Sequence, residues 1–321
     1  MISGDSIPST PSQIHIEITS TCNLACGFCP VHRVKRGAAL SKDEVKGVIR
    51  QAAALDPQPQ YIDFVNYNEP LLCKDFWEYA DLVTELLGNR LGMVSNGTIM
   101  SDEIAQRLQN LHLLQMVFSV DAFTAQTYAK VRPRWTPSGP KEDLKLRDII
   151  YDNINLYLDC VRRSGFEAWP VIEMVVCDLN AHEVEATRDY WLPRLHNQFL
   201  MINCTGRGGE RSFSAPNDNP CRVILDGLWV LSDGRVVACC EDYDGVDCVG
   251  DVRQETLEQI WNGERIKRFR DLHFSGRKKD IAVCAKCQKS QDVTNHHAFP
   301  DRTRPEVLVE LRNRGIFGTI P

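Results

Sequence analysis

The sequence predicts an α/β chain: an open, partial (β/α)6 barrel around a parallel sheet, followed by a small β-hairpin and helix module rich in cysteine. Three observations carry that expectation. From about Ile14 to Cys204, short apolar runs alternate with longer helical patterns, as βα units around a parallel sheet do. The 321 residues, 43% hydrophobic and 25% charged, suffice for one large α/β domain and a smaller module. The 13 cysteines fall in an early set and a late set, on either side of a glycine-rich stretch at 206–209.

Taken in order, residues 1–13 form a polar, Pro/Ser-rich tail that lacks the basic and apolar regions of a signal peptide. Strands are expected over 14–18, 61–65, 91–94, 115–120, 168–177 and 198–202. Helices are expected between them over 41–53, 75–87, 102–110, 143–163 and 181–196, the first supported by a capping box of Ser41 and Glu44. This partial barrel fills 14–205, a linker spans 206–219, the second module 220–295, and a helical extension 296–321. No run of 18 apolar residues offers a membrane span. A net charge of -6 argues against a nucleic-acid partner held through phosphates. Many cysteines without an export signal favour reduced thiols, metal ligation and a reducing cytoplasm.

The loop after the first strand reads Cys22-Asn-Leu-Ala-Cys26-Gly-Phe-Cys29. Thiolates are the usual ligands of iron-sulfur clusters, and three of them leave one iron of a 4Fe-4S cluster open to another molecule. A structural zinc wants a closed set of four ligands, and only His32 lies close enough in sequence to add one. Thiols that merely pack are the other alternative. Ligands of parallel α/β sheets sit beyond the carboxyl ends of the strands, where this loop falls.

With Phe28 before its last cysteine, the loop resembles the signature of the radical S-adenosylmethionine (radical SAM) superfamily. That resemblance implies a cluster held by Cys22, Cys26 and Cys29 whose open iron chelates SAM, and reductive cleavage of SAM to methionine and a 5′-deoxyadenosyl radical. Asn66-Tyr67-Asn68-Glu69-Pro70 after the second strand resembles the family's GGEP motif, with Tyr67 and Asn68 in place of both glycines. Ser95-Asn96-Gly97-Thr98 and Ser119-Val120-Asp121 resemble later segments of the SAM pocket. By motif position, Asn68, Glu69, Ser95, Ser119 and Asp121 are the candidate SAM contacts.

In the second module, Gly234 precedes Cys239, and Cys221 lies upstream of both; this resembles the opening of SPASM and twitch modules, which hold auxiliary iron-sulfur clusters. Residues 225–231 and 235–238 around Ser232-Asp233-Gly234 read as a hairpin, and 257–261 as a helix. Cys284-Ala-Lys-Cys287 adds two thiols, and no cysteine follows. The shorter twitch-like form is therefore expected, with Cys221, Cys239, Cys284 and Cys287 around one auxiliary 4Fe-4S cluster. Cys240 could replace Cys239, and a four-cysteine zinc ribbon would use the same spacing.

Six further cysteines remain: Cys73, Cys160, Cys177, Cys204, Cys240 and Cys248. A thiol can return a hydrogen atom to a carbon radical, and Cys248, Cys240 and Cys177 are the candidate donors. Strand alternation places Glu17 and Glu173 on faces that should look into the barrel, where two carboxylates would suit an amine-bearing substrate. Within the family the chain resembles aminocyclitol dehydrogenases and aminoglycoside epimerases, which implies oxidation or epimerisation of a small natural-product intermediate, with flavodoxin or ferredoxin as electron donor. A peptide-modifying maturase is the alternative; many of these carry a leader-binding region for which a first strand at Ile14 leaves no room. A non-enzymatic iron-sulfur carrier is the third class.

Overall fold

A computed structural model describes residues 7–164, 170–195, 199–203, 220–221, 223–285 and 287, with 199–203 as backbone alone. Strand β1 (Gln13–Ile16) is followed by helix α1 (Lys42–Ala53), β2 (Tyr61–Asp63), α2 (Phe76–Leu87), β3 (Leu91–Ser95), α3 (Asp102–Asn110) and β4 (Gln115–Ser119). Then come α4 (Ala125–Val131), a hairpin of β5 (Arg134–Thr136) and β6 (Gly139–Lys141), and α5 (Leu146–Ser164). The sheet resumes with β7 (Val171–Val176), α6 (Val184–Trp191) and β8 (Phe199–Asn203). The second cysteine region supplies α7 (Val223–Asp226), β9 (Gly227–Val230), β10 (Arg235–Val237), β11 (Gly250–Asp251), α8 (Leu257–Trp261), α9 (Glu264–Phe274) and α10 (Ala282–Ala285).

Strands β1, β2, β3, β4, β7 and β8 lie side by side in that order, all parallel, as the βα alternation requires. The sheet does not stop at β1. Strand β9 pairs with it in parallel, Ile14 facing Leu228 and Ile16 facing Val230, and β10 and β11 continue antiparallel. One nine-stranded sheet therefore carries both cysteine regions. The 206–219 linker and the 296–321 extension lie outside the described residues, as does Cys204.

The expected boundaries shift where side chains intervene. The second strand ends at Asp63 because its carboxylate accepts the Val65 N–H at 3.2 Å and turns the chain. The helix expected over 181–196 is split into a 3-10 turn at Ala181–Glu183, α6, and a second 3-10 turn at Leu192–Arg194 containing Pro193. Helix α4 and the β5–β6 hairpin occupy a stretch to which the sequence reading assigned no element. The Ser41–Glu44 capping box forms as expected. Gly234 closes the β9–β10 turn at φ +92°, a conformation that suits glycine.

A large apolar core runs from the barrel into the C-terminal region: Ile14 and Ile16 of β1 pack with Val45 and Ile49 of α1, and the same cluster takes in Val236, Ile260 and Trp261. Trp261 also donates its indole N–H to the Pro8 carbonyl at 2.8 Å, fastening the N-terminal tail to α8.

A close approach inside the sheet gives a stability prediction. A Cβ on Gly92 would stand 2.2 Å from the Tyr61 ring, so Gly92→Ala should destabilise the fold by about 1–3 kcal/mol in urea unfolding. Gly47→Ala, on α1 with nothing within 4 Å of the added carbon, should instead stabilise by about 0.5–1 kcal/mol.

Candidate active site

The early cysteine loop is held by the segment that follows α4. Ala25 N–H donates to Pro133 O at 2.7 Å, Gly27 N–H to Val131 O at 3.1 Å, and Trp135 N–H to Asn23 O at 2.9 Å. Leu24, wholly buried, forms a bridge to Arg134 and wedges the loop into the core. A tight turn, Cys29 N–H to Cys26 O at 2.9 Å, folds the last two thiols back on each other. His32, the one residue near enough in sequence to complete a zinc set, bonds the Leu24 carbonyl at 2.8 Å and stacks on Trp135 at 3.8 Å.

Burial pushes the Cys22 thiol up to about 12, and the neighbouring Cys26 adds to it. Burial likewise carries Cys26 to about 11, with the Arg132 cation pulling the other way. Such a group of thiols is adverse as free anions and becomes favourable around cationic iron. No three Cys, His, Asp or Glu side chains among the described residues are placed to hold a single metal ion. Three thiols on one loop are the donor type of an iron-sulfur cluster with one iron left open.

Around the loop stand the ends of β2, β3 and β4. Glu69, at 1% exposure, ties two of them together: its carboxylate accepts from Leu71 N at 3.3 Å, Ser95 Oγ at 3.0 Å and Asn96 N at 2.7 Å. Its own N–H donates to Thr21 O at 2.9 Å, next to Cys22. Burial raises its carboxyl above the usual range, against those three donors. Asn68 is committed to the turn, accepting from Asn66 N at 3.0 Å and donating to Phe64 O at 2.9 Å. Asn96 donates to Asn23 Oδ1 at 2.9 Å and lies 3.7 Å from Cys22 Sγ.

The sequence reading missed Arg132. Buried at 6% exposure, its Nε stands 3.3 Å from Cys26 Sγ and 3.4 Å from Asp121 Oδ2, and it donates to the Ser119 carbonyl. Burial opposes its charge, yet Cys26, Tyr128 and Asp121 hold it well above the ordinary guanidinium range. Asp121 also accepts Val175 N–H at 2.7 Å. Beside this group the wholly buried Tyr128 hydroxyl has no hydrogen-bond partner among the described residues. A buried cation and an unpartnered hydroxyl thus stand beside a thiol of the early loop.

The late set also converges. Cys221 precedes α7, Cys239 follows β10, and Cys284 sits on α10 with Cys287 N–H donating back to Cys284 O at 3.1 Å. Burial raises Cys221 to about 11, with Cys287 and Cys240 adding, and Cys284 to about 12, with Cys221 and Cys287 adding. Cys239 is raised further, first by a hydrogen bond with Cys240 and then by burial and by Cys221. Glu241 N–H stands 3.4 Å from Cys239 Sγ, whereas Cys240 packs with Cys248 against Trp229, Leu231 and Val237. Cys248 donates to Gly245 O at 3.0 Å, and Cys177 lies past the end of β7 with its N–H on Asn180 Oδ1 at 2.7 Å. The module contains a buried imidazole that sequence reading passed over: His273 on α9 accepts Cys221 N–H at 3.1 Å and lies 3.4 Å from Cys284 Sγ.

The Glu17 carboxylate accepts four hydrogen bonds: from Arg36 Nε at 2.7 Å, Arg36 Nη2 at 2.8 Å, Asn66 Nδ2 at 2.9 Å and Ser232 Oγ at 2.8 Å. That is a carboxylate's full capacity, taken up within the protein. Glu173 is half-buried on β7 in register with Ser119.

Comparison with known proteins agrees with this geometry. Residues 16–189 match the family model described as the radical SAM superfamily, and 221–288 match SPASM, an iron-sulfur cluster-binding domain. The chain is 22% identical over 282 residues to the S-adenosyl-L-methionine-dependent 2-deoxy-scyllo-inosamine dehydrogenase of Niallia circulans, covering 86% of this chain and 92% of that one. In fold it is similar to the crystal structure of BtrN in complex with AdoMet and 2-DOIA (TM-score 0.58, 20% identity, 89% of this chain and 96% of that one). It is also similar to Streptococcus suis SuiB bound to precursor peptide SuiA (TM-score 0.65, 13% identity, 88% and 70%).

Glu183 sets the approach to Arg132. Its carboxylate accepts from Phe123 N, Thr124 N, Thr124 Oγ1 and Thr127 Oγ1 at 2.5 to 3.0 Å, fixing the start of α4. Burial works against its charge, but these donors outweigh it and lower its pKa. The stabilisation is therefore complete above the unfolded value of about 4.3 and is lost as pH falls through the lower folded value. Glu183→Gln should cost about 1–3 kcal/mol near neutral pH and should flatten the acid limb of a stability–pH curve relative to the parent.

Proposed function

The chain belongs to the radical SAM superfamily, and on that premise we propose that it oxidises or epimerises a carbinol carbon of a small amine-bearing substrate such as an aminosugar or cyclitol. It is a radical SAM enzyme, with SAM and 4Fe-4S clusters as cofactors. The observation that carries the reading is that one sheet bears both the three-cysteine loop after β1 and the late cysteine region that follows from β9. Likeness to an aminocyclitol dehydrogenase along most of both chains supports the substrate class.

Cys22, Cys26 and Cys29 would hold the SAM-binding cluster, and Cys221, Cys239, Cys284 and Cys287 the auxiliary one. Cys239 is preferred to Cys240 because a backbone N–H faces its sulfur, as N–H groups face cluster thiolates. When bound, the first cluster supplies the electron that splits SAM into methionine and a 5′-deoxyadenosyl radical. The protein's part is placement and field. Arg132 sets a fixed positive charge beside Cys26, suited to an anionic group of the ligand, and Tyr128 offers an unused hydroxyl near it. Ser119 and Asp121 border the same place, while Glu69, Ser95 and Asn68 act by holding the strand-end loops in position. Glu173 is the remaining carboxylate suited to a substrate amine.

Transfer of a hydrogen atom from the substrate carbon to the 5′-deoxyadenosyl radical can be followed by loss of the hydroxyl proton and of one electron, which the auxiliary cluster would accept when bound, giving a ketone. Return of a hydrogen atom from a thiol on the opposite face inverts the centre instead, with Cys248, Cys240 and Cys177 as the candidate donors. Flavodoxin or ferredoxin is the proposed electron donor, in a reducing cytoplasm. No helix among the described residues is long and apolar enough to cross a membrane.

Anaerobically reconstituted protein with SAM, a low-potential reductant and a panel of aminoglycoside intermediates should form 5′-deoxyadenosine, and Cys22→Ala should abolish it. Mass spectrometry in deuterated water then separates the two outcomes. A product about two mass units lighter reports oxidation. An isomeric product carrying solvent deuterium reports epimerisation and should disappear in the Cys→Ser variant of the donating thiol. Turnover of a peptide and of no small molecule would overturn the substrate class.

A further inference from the structure

Between two of the four late cysteines lies a histidine for which the reaction as described has no use. His273 is 1% exposed on α9, and both of its ring nitrogens face the cysteine set. The Cys221 N–H donates to Nδ1 at 3.1 Å. A ring nitrogen that accepts a hydrogen bond carries no proton, so the imidazole hydrogen resides on Nε2. That atom stands 3.4 Å from Cys284 Sγ, a normal separation for an N–H group approaching sulfur. The tautomer is thus fixed by a backbone donor, and the remaining N–H is aimed at a thiol.

We propose that His273 is a positioning residue that fastens Cys221 and donates Nε2–H to the Cys284 thiolate, raising the reduction potential of the auxiliary cluster. The proposal rests on the reading of Cys221, Cys239, Cys284 and Cys287 as that cluster's ligands. Its physics is independent of the substrate. A hydrogen bond to a ligand sulfur withdraws electron density and favours the more negative, reduced form of the cluster. Because the imidazole is enclosed, no water competes with it for the sulfur. Lys278, which also acts on the Cys221 and Cys284 thiols, is left unaltered by the substitutions below.

The test uses the full chain with Cys22, Cys26 and Cys29 replaced by alanine, so that only the auxiliary cluster is seen. His273→Asn can still accept the Cys221 N–H but falls short of Cys284. His273→Gln reaches the sulfur with an amide N–H. With about four irons per chain retained, His273→Asn should lower the midpoint in an EPR-monitored redox titration by about 59 mV, a tenfold change in the oxidised-to-reduced ratio at fixed poise. His273→Gln should recover most of that shift. An unchanged midpoint in His273→Asn with the cluster intact overturns the proposal. Should His273→Asn lose its iron, the decision passes to the same full-length protein with His273 unaltered and histidine labelled with nitrogen-15. A weak histidine-nitrogen coupling in pulsed EPR of the reduced cluster supports the hydrogen bond, and its absence overturns it. The ligand reading fails separately: Cys284→Ala would then keep the full auxiliary cluster.

Discussion

The molecule depends on a parallel pairing that joins its two ends. Strand β9 lies against β1, more than 200 residues away in sequence, and at the end of that pairing Glu17 N–H donates to Val230 O at 2.8 Å. The Glu17 carboxylate, enclosed at 1% exposure, then gathers Arg36, Asn66 and Ser232. An enclosed ion pair yields little net stability, because desolvation consumes most of its attraction. Its effect here is geometric: the four hydrogen bonds can all form only when the early loop, the turn after β2 and the β9–β10 hairpin occupy one relative arrangement. Arg36 adds a bond to Tyr243 O at 2.5 Å and so extends the same arrangement into the late module.

From this join the two cysteine sets take different characters. The early set sits on a loop whose backbone is satisfied by the residues after α4, so the thiols are positioned without being enclosed by further ligands. Arg132 arrives on that same segment, and its largely buried charge is held by Asp121 and Cys26. In the late region Cys239 follows the β9–β10 hairpin and Cys284 sits on α10, with the His273 imidazole of α9 bonded to Cys221 N–H and 3.4 Å from Cys284 Sγ. Three thiols beside a fixed cation suit a site that accepts a ligand.

Much of this was legible in the residues. Six parallel strands, the cysteine loop after the first of them and the hairpin around Gly234 follow from hydrophobic periodicity and from fixed spacings, which are local properties. What was not legible is what meets across the molecule. Alternation correctly set Glu17 opposite Ile16, but no local pattern announces that Arg36 and Ser232 will occupy its oxygens. The joining of β9 to β1 is a long-range pairing without a spacing rule, so the late module read as an appendage when it is in fact an extension of the sheet. Arg132 and His273 stand at helix ends where basic residues are common, and only the fold brings them to sulfur.

Tyr67 occupies a position where the motif it resembles has glycine, and its phenol crosses to the Cys240 carbonyl at 2.8 Å while its ring meets Tyr243 edge-on. The latch makes the two metal-binding regions poor candidates for independent exchange. A hybrid that took its C-terminal third from another homologue would inherit a bulky aromatic without its carbonyl partner. Tyr67 and the Cys240–Tyr243 turn therefore form a unit of inheritance that engineers would have to transplant together.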